Sequence, residues 1–260
     1  MDLAAARRTE EVPALLSAAA AVDTTGPLLT YCDDATGERT ELSVAALGRW
    51  VARTANLLVD GCRLHPGDRA AVLLPPHWQT AAVLLGAWSA GVSVAFHPMA
   101  TAGLPRIGPG ADLPVDVSFV AHNRIDNWLE DVPEAEHQFV LGLDPGAEPI
   151  REVPAGYRDY LVEVREHGDS APSYASVRPT DAATVDGTSY REWATVAQGI
   201  AESRDLRPGD RVLVDTAGQE QPVVWLLAPL FAGASVILCH NLAPGTAESR
   251  ARTEGATRVF

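Results

Sequence analysis

The chain has 260 residues, and with 47% of them hydrophobic it can bury a substantial core without help from metals or disulfides. Its formal net charge of −14 repels polyanions at long range, which argues against nucleic acid and against an anionic membrane as partners. All twenty basic residues are Arg, so a lysine Schiff base, a phosphate-binding lysine and a lysine electrophile are excluded.

In chain order, Arg7 and Arg8 are flanked by Asp2, Glu10 and Glu11, and the Ala18–Ala21 run is too short for a signal-peptide core, so a cytoplasmic location is expected. Ser43 caps a predicted helix whose apolar positions Val44, Leu47, Val51, Leu57 and Leu58 share one face, with Gly61 near its end. Pro66-Gly67-Asp68 is a turn signal, because Pro presets φ, Gly permits unusual backbone angles and Asp bonds back to the chain. The apolar run Ala70–Leu74 reads as a strand buried on both faces, His77–Ala90 as a returning helix and Val92–Phe96 as the next strand, which makes a βαβ unit with parallel strands. Further strands are expected at Leu113–Val120 and Gln138–Leu143, with helices near Ile125–Leu129 and Tyr157–Val164. The polar stretch Glu166–Gly187 reads as a linker.

A second copy of the unit follows at a constant offset of 142 residues. Leu64-His65-Pro66-Gly67-Asp68-Arg69 recurs as Leu206-Arg207-Pro208-Gly209-Asp210-Arg211, and 13 of the 33 positions from Leu64 to Phe96 match those from Leu206 to Leu238. The helix of this copy opens at Ser189-Tyr190, with Trp193, Val196, Ala197 and Ile200 as its apolar side. The uncharged stretch Val223–Cys239 contains Pro229 and Gly233, and reads as buried helix, turn and strand rather than a membrane span. The expected domains are therefore a first α/β subdomain at 1–165, a linker at 166–187 and a second subdomain at 188–260.

Candidate chemistry is sparse. Gly67, Gly91, Gly209 and Gly233 lie at turns, without a G-x-G-x-x-G fingerprint, and Arg69 and Arg211 read as surface or turn residues. Ser93 and Ser235 open strands and do not sit in a G-x-S-x-G elbow, so they are assigned structural roles. The seven histidines form no metal-binding spacing, and Cys32, Cys62 and Cys239 read as buried thiols in a reducing compartment. No metal, cofactor or catalytic residue is expected.

The order of these pieces resembles the adenylate-forming superfamily, which includes acyl-CoA synthetases, luciferases and peptide-synthetase adenylation domains. The likeness rests on Leu29-Thr30-Tyr31 with Thr40–Leu47, on Ala55-Asn56-Leu57-Leu58, on Pro66–Pro75 and Ala81–Pro98, and on Asp205–Leu213 with Leu226–Ala234. It implies an α/β fold of two related βαβ-containing subdomains, with helices covering parallel sheets, as in the large N-terminal domain of those enzymes. In that family a Thr/Ser/Gly-rich loop ending in Lys precedes a helix that resembles Ser189-Tyr190-Arg191-Glu192-Trp193, and wraps the ATP phosphates. Here Pro179–Thr188 leads directly into the helix and carries Asp181 and Asp186, which oppose a triphosphate.

The family's aromatic-His motif is also missing from Asp215–Glu220, and the chain ends at Phe260, before the segments that would resemble the family's adenine-, magnesium- and ribose-binding motifs. The resemblance thus implies a truncated relative without adenylating activity that acts as a small-molecule or protein binding module. The alternative is a split adenylating enzyme or acyl-CoA ligase completed by a partner chain. The early end predicts an exposed hydrophobic sheet edge, covered by a second copy or another protein. By the rule that open α/β sheets bind ligands at strand C-terminal ends, His97 is a pocket candidate, and the resemblance adds Asp215, Thr216, Gly218 and Gln219, where the family's aromatic-His motif would fall.

Overall fold

The computed structural model describes residues 26–104, 108–125, 127, 132–170, 172 and 177–260. The N-terminal stretch with Arg7, Arg8 and Ala18–Ala21, and Leu129 of an expected helix, lie outside the described residues. The chain forms two compact units, one from Met1–Gly48 with Tyr190–Phe260 and the other from Arg49–Ser189.

The helix capped by Ser43, α1 (Val44–Asn56), starts before Arg49 and within the Arg49–Ser189 unit runs into a π-helical turn at Leu57–Gly61. The Ser43 hydroxyl accepts from the Ala46 amide at 3.2 Å, as its position before the apolar repeat predicts. Strand β3 (Arg69–Leu73) follows, then α2 (Trp78–Ser89) and β4 (Ser93–Phe96). His77 supplies the N-cap of α2 through Nδ1, which accepts from the Gln79 amide at 3.1 Å. Strand β5 (Val117–Ala121), the single turn α3 (His122–Ile125), β6 (His137–Leu141), β7 (Arg158–Asp159) and α4 (Tyr160–Arg165) complete the set. The five strands pair in parallel in the order β4-β3-β5-β6-β7. Both faces of β3 and β5 are buried, which is why these strands read as apolar runs without alternation. Phe119 stacks on Phe139 at 5.3 Å and meets Tyr160 edge-on at 6.0 Å, an aromatic cluster at the centre of the core.

The other unit contains β1 (Leu29–Asp33), β2 (Arg39–Leu42), α5 (Tyr190–Ser203), β8 (Arg211–Asp215), a π-helical turn at Val223–Leu227 that continues into α6 (Ala228–Ala232), β9 (Ser235–His240), α7 (Ala247–Glu254) and β10 (Arg258–Val259). Its sheet order is β10-β8-β9-β1-β2, parallel except for the antiparallel β1–β2 pair. The outer strands are a two-residue β10, whose Val259 is exposed, and a β2 that carries Arg39 and Glu41.

The two Pro-Gly-Asp turns make matching bonds. Asp68 accepts from the His65 amide at 2.7 Å, and Asp210 from the Arg207 amide at 2.9 Å. Gly67 donates to the Gly91 carbonyl and Gly209 to the Gly233 carbonyl, each at 2.9 Å. The hydroxyls of Ser93 and Ser235 donate to the carbonyls of Asp68 and Asp210 at 3.2 and 3.4 Å. Arg69 and Arg211 directly follow these turns and are half-buried. Their Nε atoms donate to the Pro114 carbonyl at 2.7 Å and the Glu254 carbonyl at 2.8 Å, pinning the segment that leads to the next strand of each sheet.

Three expectations are corrected. The division of the chain differs from 1–165, 166–187 and 188–260, because β1 inserts beside β9 in register, Leu29 opposite Val236 and Cys32 opposite Cys239, and carries the N-terminal segment into the later unit. The stretch 166–187 is not a plain linker. Val94 of β4 donates to Ala183 at 2.9 Å, Val185 donates back to Val94 at 3.3 Å, and the Trp88 indole donates to the Ala183 carbonyl at 3.0 Å. Of the expected apolar side of α5, Ala197 is buried, but Trp193 and Ile200 are only half-buried and Val196 is 45% exposed; the buried stripe is Tyr190, Ala194, Ala197 and Ala201. Small alanines here let the helix sit close to its neighbours, a choice that hydrophobicity alone does not reveal. The remaining elements shift by a few residues from their expected bounds, with β5 at Val117–Ala121, β6 at His137–Leu141 and α4 at Tyr160–Arg165.

Candidate functional site

The segment where the resembled family places its phosphate loop is a closed turn. Ala182 bridges Ser189, and the amides of Ala183 and Thr184 donate to the Thr188 carbonyl at 2.8 and 3.3 Å. The Gly187 amide donates to the Thr184 carbonyl at 3.0 Å, and the Thr188 amide to Asp186 Oδ1 at 3.0 Å. An anion cradle needs free amide donors converging on one point. Here those four amides are bound within the turn, and its tip presents a carboxylate. The Thr184 hydroxyl, at 2.5 Å, and then the Thr188 amide hold the Asp186 carboxyl below its ordinary range, so the turn carries a full negative charge at neutral pH. Asp181 closes the preceding turn by accepting from the Arg178 amide at 2.8 Å.

Of the residues singled out from the sequence, Asp215, Thr216, Gly218 and Gln219 come together in the turn that leaves β8 at its C-terminal end. Asp215 Oδ1 accepts from the Ala217 amide at 3.1 Å, and its carbonyl accepts from the Gly218 amide at 3.2 Å. Gly218 is exposed, with only the Asp215 carbonyl oxygen reaching within 4.0 Å of its Cβ position, and Gln219 is half-buried. Thr216 is buried, its amide and hydroxyl reaching the Cys239 carbonyl at 3.1 and 3.2 Å and its hydroxyl meeting His240 Nδ1 at 2.9 Å.

Sequence reasoning missed the residues that surround this turn. Parallel pairing places Asp33 opposite His240 at the C-terminal ends of β1 and β9, with Asn241 immediately after. Burial alone would raise the Asp33 carboxyl. Hydrogen bonds from the Asn241 amide group at 2.8 Å, the Ala35 amide at 2.9 Å and the Thr36 hydroxyl at 3.0 Å instead hold it below its usual range, with the nearby His240 acting in the same direction. Asp33 precedes Asp34-Ala35-Thr36-Gly37, a turn signal that could have marked it as a loop-shaping residue, but nothing in the sequence pairs it with His240.

His97 belongs to the Arg49–Ser189 unit, just beyond the C-terminal end of β4. Its amide donates to the Val72 carbonyl at 2.9 Å, and its carbonyl accepts from Nη1 of the buried Arg124 at 2.7 Å. The backbone at His97 is thus clamped from both sides. No group of three or more His, Cys, Asp or Glu among the described residues could hold a metal ion. No helix of the described residues is long and apolar enough to cross a membrane.

The cluster of Asp33, Thr216, His240 and Asn241 offers hydrogen-bonding groups held in place by one another. It has no lysine, and its carboxylate already accepts three hydrogen bonds. Such an arrangement suits recognition of a polar group and supplies little to stabilise charge developing on a phosphate.

No protein-family model matches the sequence. Among solved structures, the acetoacetyl-CoA synthetase of Streptomyces lividans superposes with a TM-score of 0.71 at 20% identity, over 96% of this chain and 42% of that one. The acyl-CoA synthetase of Brucella canis superposes with a TM-score of 0.69 at 19% identity, over 100% of this chain and 50% of that one. The chain therefore spans half or less of the length of these enzymes, and at such identities the likeness shows the fold alone. That fold is the one expected, two parallel-sheet subdomains flanked by helices, resembling the N-terminal domain of adenylate-forming enzymes. Among curated proteins, the TIGR03089 family protein of Mycobacterium tuberculosis (strain ATCC 25618 / H37Rv) is 38% identical over 252 residues, which cover 95% of this chain and 96% of that protein. A match of that depth and extent means that the chain belongs to the TIGR03089 family.

Proposed function

We propose that this chain is a binding module on an adenylate-forming scaffold and does not itself adenylate a carboxylic acid. The single observation that carries the reading is the closed turn at 182–189, four of whose amides bond internally while that of Val185 bonds to Val94, and whose tip bears the ionised Asp186. Forming an acyl adenylate requires cationic groups and magnesium to stabilise charge on the α-phosphate, and the chain has neither a lysine nor an open amide cradle at that position. The module's ligand is expected at the strand ends of the second sheet, where Asp33, Thr216, His240 and Asn241 present hydrogen-bonding groups.

The test is ATP–pyrophosphate exchange by the purified protein with short, medium and aromatic carboxylic acids, run beside calorimetric titration with Mg-ATP. The expected result is exchange at the background rate and no saturable heat. Exchange above background by this chain alone overturns the reading. A thermal-shift screen of carboxylates and acyl-CoAs should find a stabilising ligand, and Thr216→Val should weaken its effect.

A further inference from the structure

Cys32 and Cys239 are far apart in the sequence, yet they stand directly opposite each other on the paired strands β1 and β9. Both are buried and neither is in a disulfide. In-register neighbours in a parallel pair have Cα atoms spaced about 4.8 Å apart, within the range that a disulfide spans. Cys32 Sγ lies 3.8 Å from Glu254 Oε1, to which it donates. The Glu254 side chain is only 6% exposed, and Arg39, Arg211 and Arg250 all approach it, at 3.1, 3.9 and 3.8 Å. A thiol pair beside a nearly buried carboxylate ringed by three guanidinium groups is more than a core packing solution, because Leu213, Ile237 and Ala251 already supply the apolar contacts there.

We infer that Cys32 and Cys239 form a dithiol modification site, which a hydroperoxide oxidises to a reversible disulfide bridging β1 and β9. Cys32 attacks first. The Cys239 thiol favours its thiolate, as do Arg39 and Arg250, against the opposing effects of burial and of Glu254. After that first proton leaves, the Cys239 proton is held more tightly by the neighbouring Cys32 sulfur, by burial and by the Cys32 charge. Cys32 gives its proton to Glu254, and its sulfur attacks the distal peroxide oxygen. The O–O bond breaks, and the departing hydroxide takes the Glu254 proton to leave as water. Cys239 then displaces the hydroxyl from the Cys32 sulfenic acid, its own proton completing a second water. Two thiols are oxidised and one hydrogen peroxide is reduced to two waters. A bridge between neighbouring strands of one sheet holds its Cβ atoms farther apart than a relaxed disulfide prefers, which makes it easy to reduce again. The route in is short, since the Arg39 side chain beside Glu254 is 47% exposed.

The experiment treats the reduced full chain with equimolar hydrogen peroxide under native conditions, alkylates the remaining thiols after denaturation, and maps the peptides by mass. The expected product has lost the mass of two hydrogen atoms, takes one alkyl group, on Cys62, and returns to three alkyl groups after dithiothreitol. Cys239→Ser should leave a sulfenic acid on Cys32 that dimedone captures, whereas Cys32→Ser should give no adduct on Cys239. Three alkylated thiols after peroxide, a bridge that includes Cys62, or a bridge between two chains overturns the proposal. So does a dimedone adduct on Cys239 in the Cys32→Ser protein at the rate seen on Cys32. Mapping of the unaltered chain decides the question even where a variant fails to fold.

Discussion

Asp33 organises the strand-end cluster because its carboxylate accepts three hydrogen bonds from two segments, the Ala35 amide and Thr36 hydroxyl of the β1–β2 turn and the side chain of Asn241 beyond β9. Replacing it with Ala strands those donors in a site that is 92% shielded from solvent, and a loss of about 1–3 kcal/mol is expected in urea unfolding. The pH dependence has a definite sign. A carboxyl held below its unfolded value near ~4 contributes stability that is fully present above that value and is lost as pH falls through the folded one. Asp33→Asn should therefore flatten the acid limb of the stability curve between about pH 4 and the onset of acid unfolding, and leave its neutral limb shifted by a constant. An Asn variant with an unchanged acid limb would mean that the carboxyl is not held ionised by these donors.

At the scale of whole elements, two helical glycines make opposite predictions. A Cβ at Gly86 of α2 would lie 2.5 Å from Thr54 Cβ and 2.7 Å from Thr54 Cγ2, and Thr54 cannot swing away because its hydroxyl bonds to the Trp50 carbonyl at 2.8 Å and the buried Tyr160 hydroxyl at 2.7 Å. Gly86→Ala gains about 1 kcal/mol of helix propensity but incurs about 1–3 kcal/mol of overpacking, so the urea midpoint should fall. Gly199 of α5 has nothing within 4 Å of its Cβ position, and Gly199→Ala should raise the stability by about 0.5–1 kcal/mol, read as a higher urea midpoint. The contrast shows where sequence reading succeeds and where it stops. The strands β3 and β4 and the helix between them were legible from Pro66-Gly67-Asp68 and the apolar run after it, since turn chemistry and periodicity are local. The stripe of alanines on α5, the use of 182–185 as a partner for β4 and the close approach at Gly86 were not, because each depends on a neighbour distant in sequence. The candidate site was legible in part for the same reason. Asp215, Thr216, Gly218 and Gln219 follow a recognisable strand, whereas Asp33, His240 and Asn241 join them only through the β1–β9 register.

For the molecule as a whole, the insertion of β1 between β9 and β2 has consequences that an uninterrupted pair of subdomains would not have. Each of the five β1 residues is buried, and the strand holds the sheet that carries Asp33, Thr216 and His240. Leu29, opposite Val236 and 1% exposed, contributes about 1.5–3 kcal/mol through burial alone, and a charge in its place would go unpaired in the core. Leu29→Asp should consequently loosen β9 and β8 together with β1, although those strands lie some two hundred residues downstream. Hydrogen exchange followed by peptide mass spectrometry reads this directly. Peptides over Arg211–Asp215 and Ser235–His240 should lose protection, while those over Val117–Ala121 and His137–Leu141, in the sheet of the Arg49–Ser189 unit, should keep theirs more fully. Equal loss across both sheets would mean that the chain opens as one cooperative body, and that the N-terminal strand is integral to the stability of the whole and not to one unit.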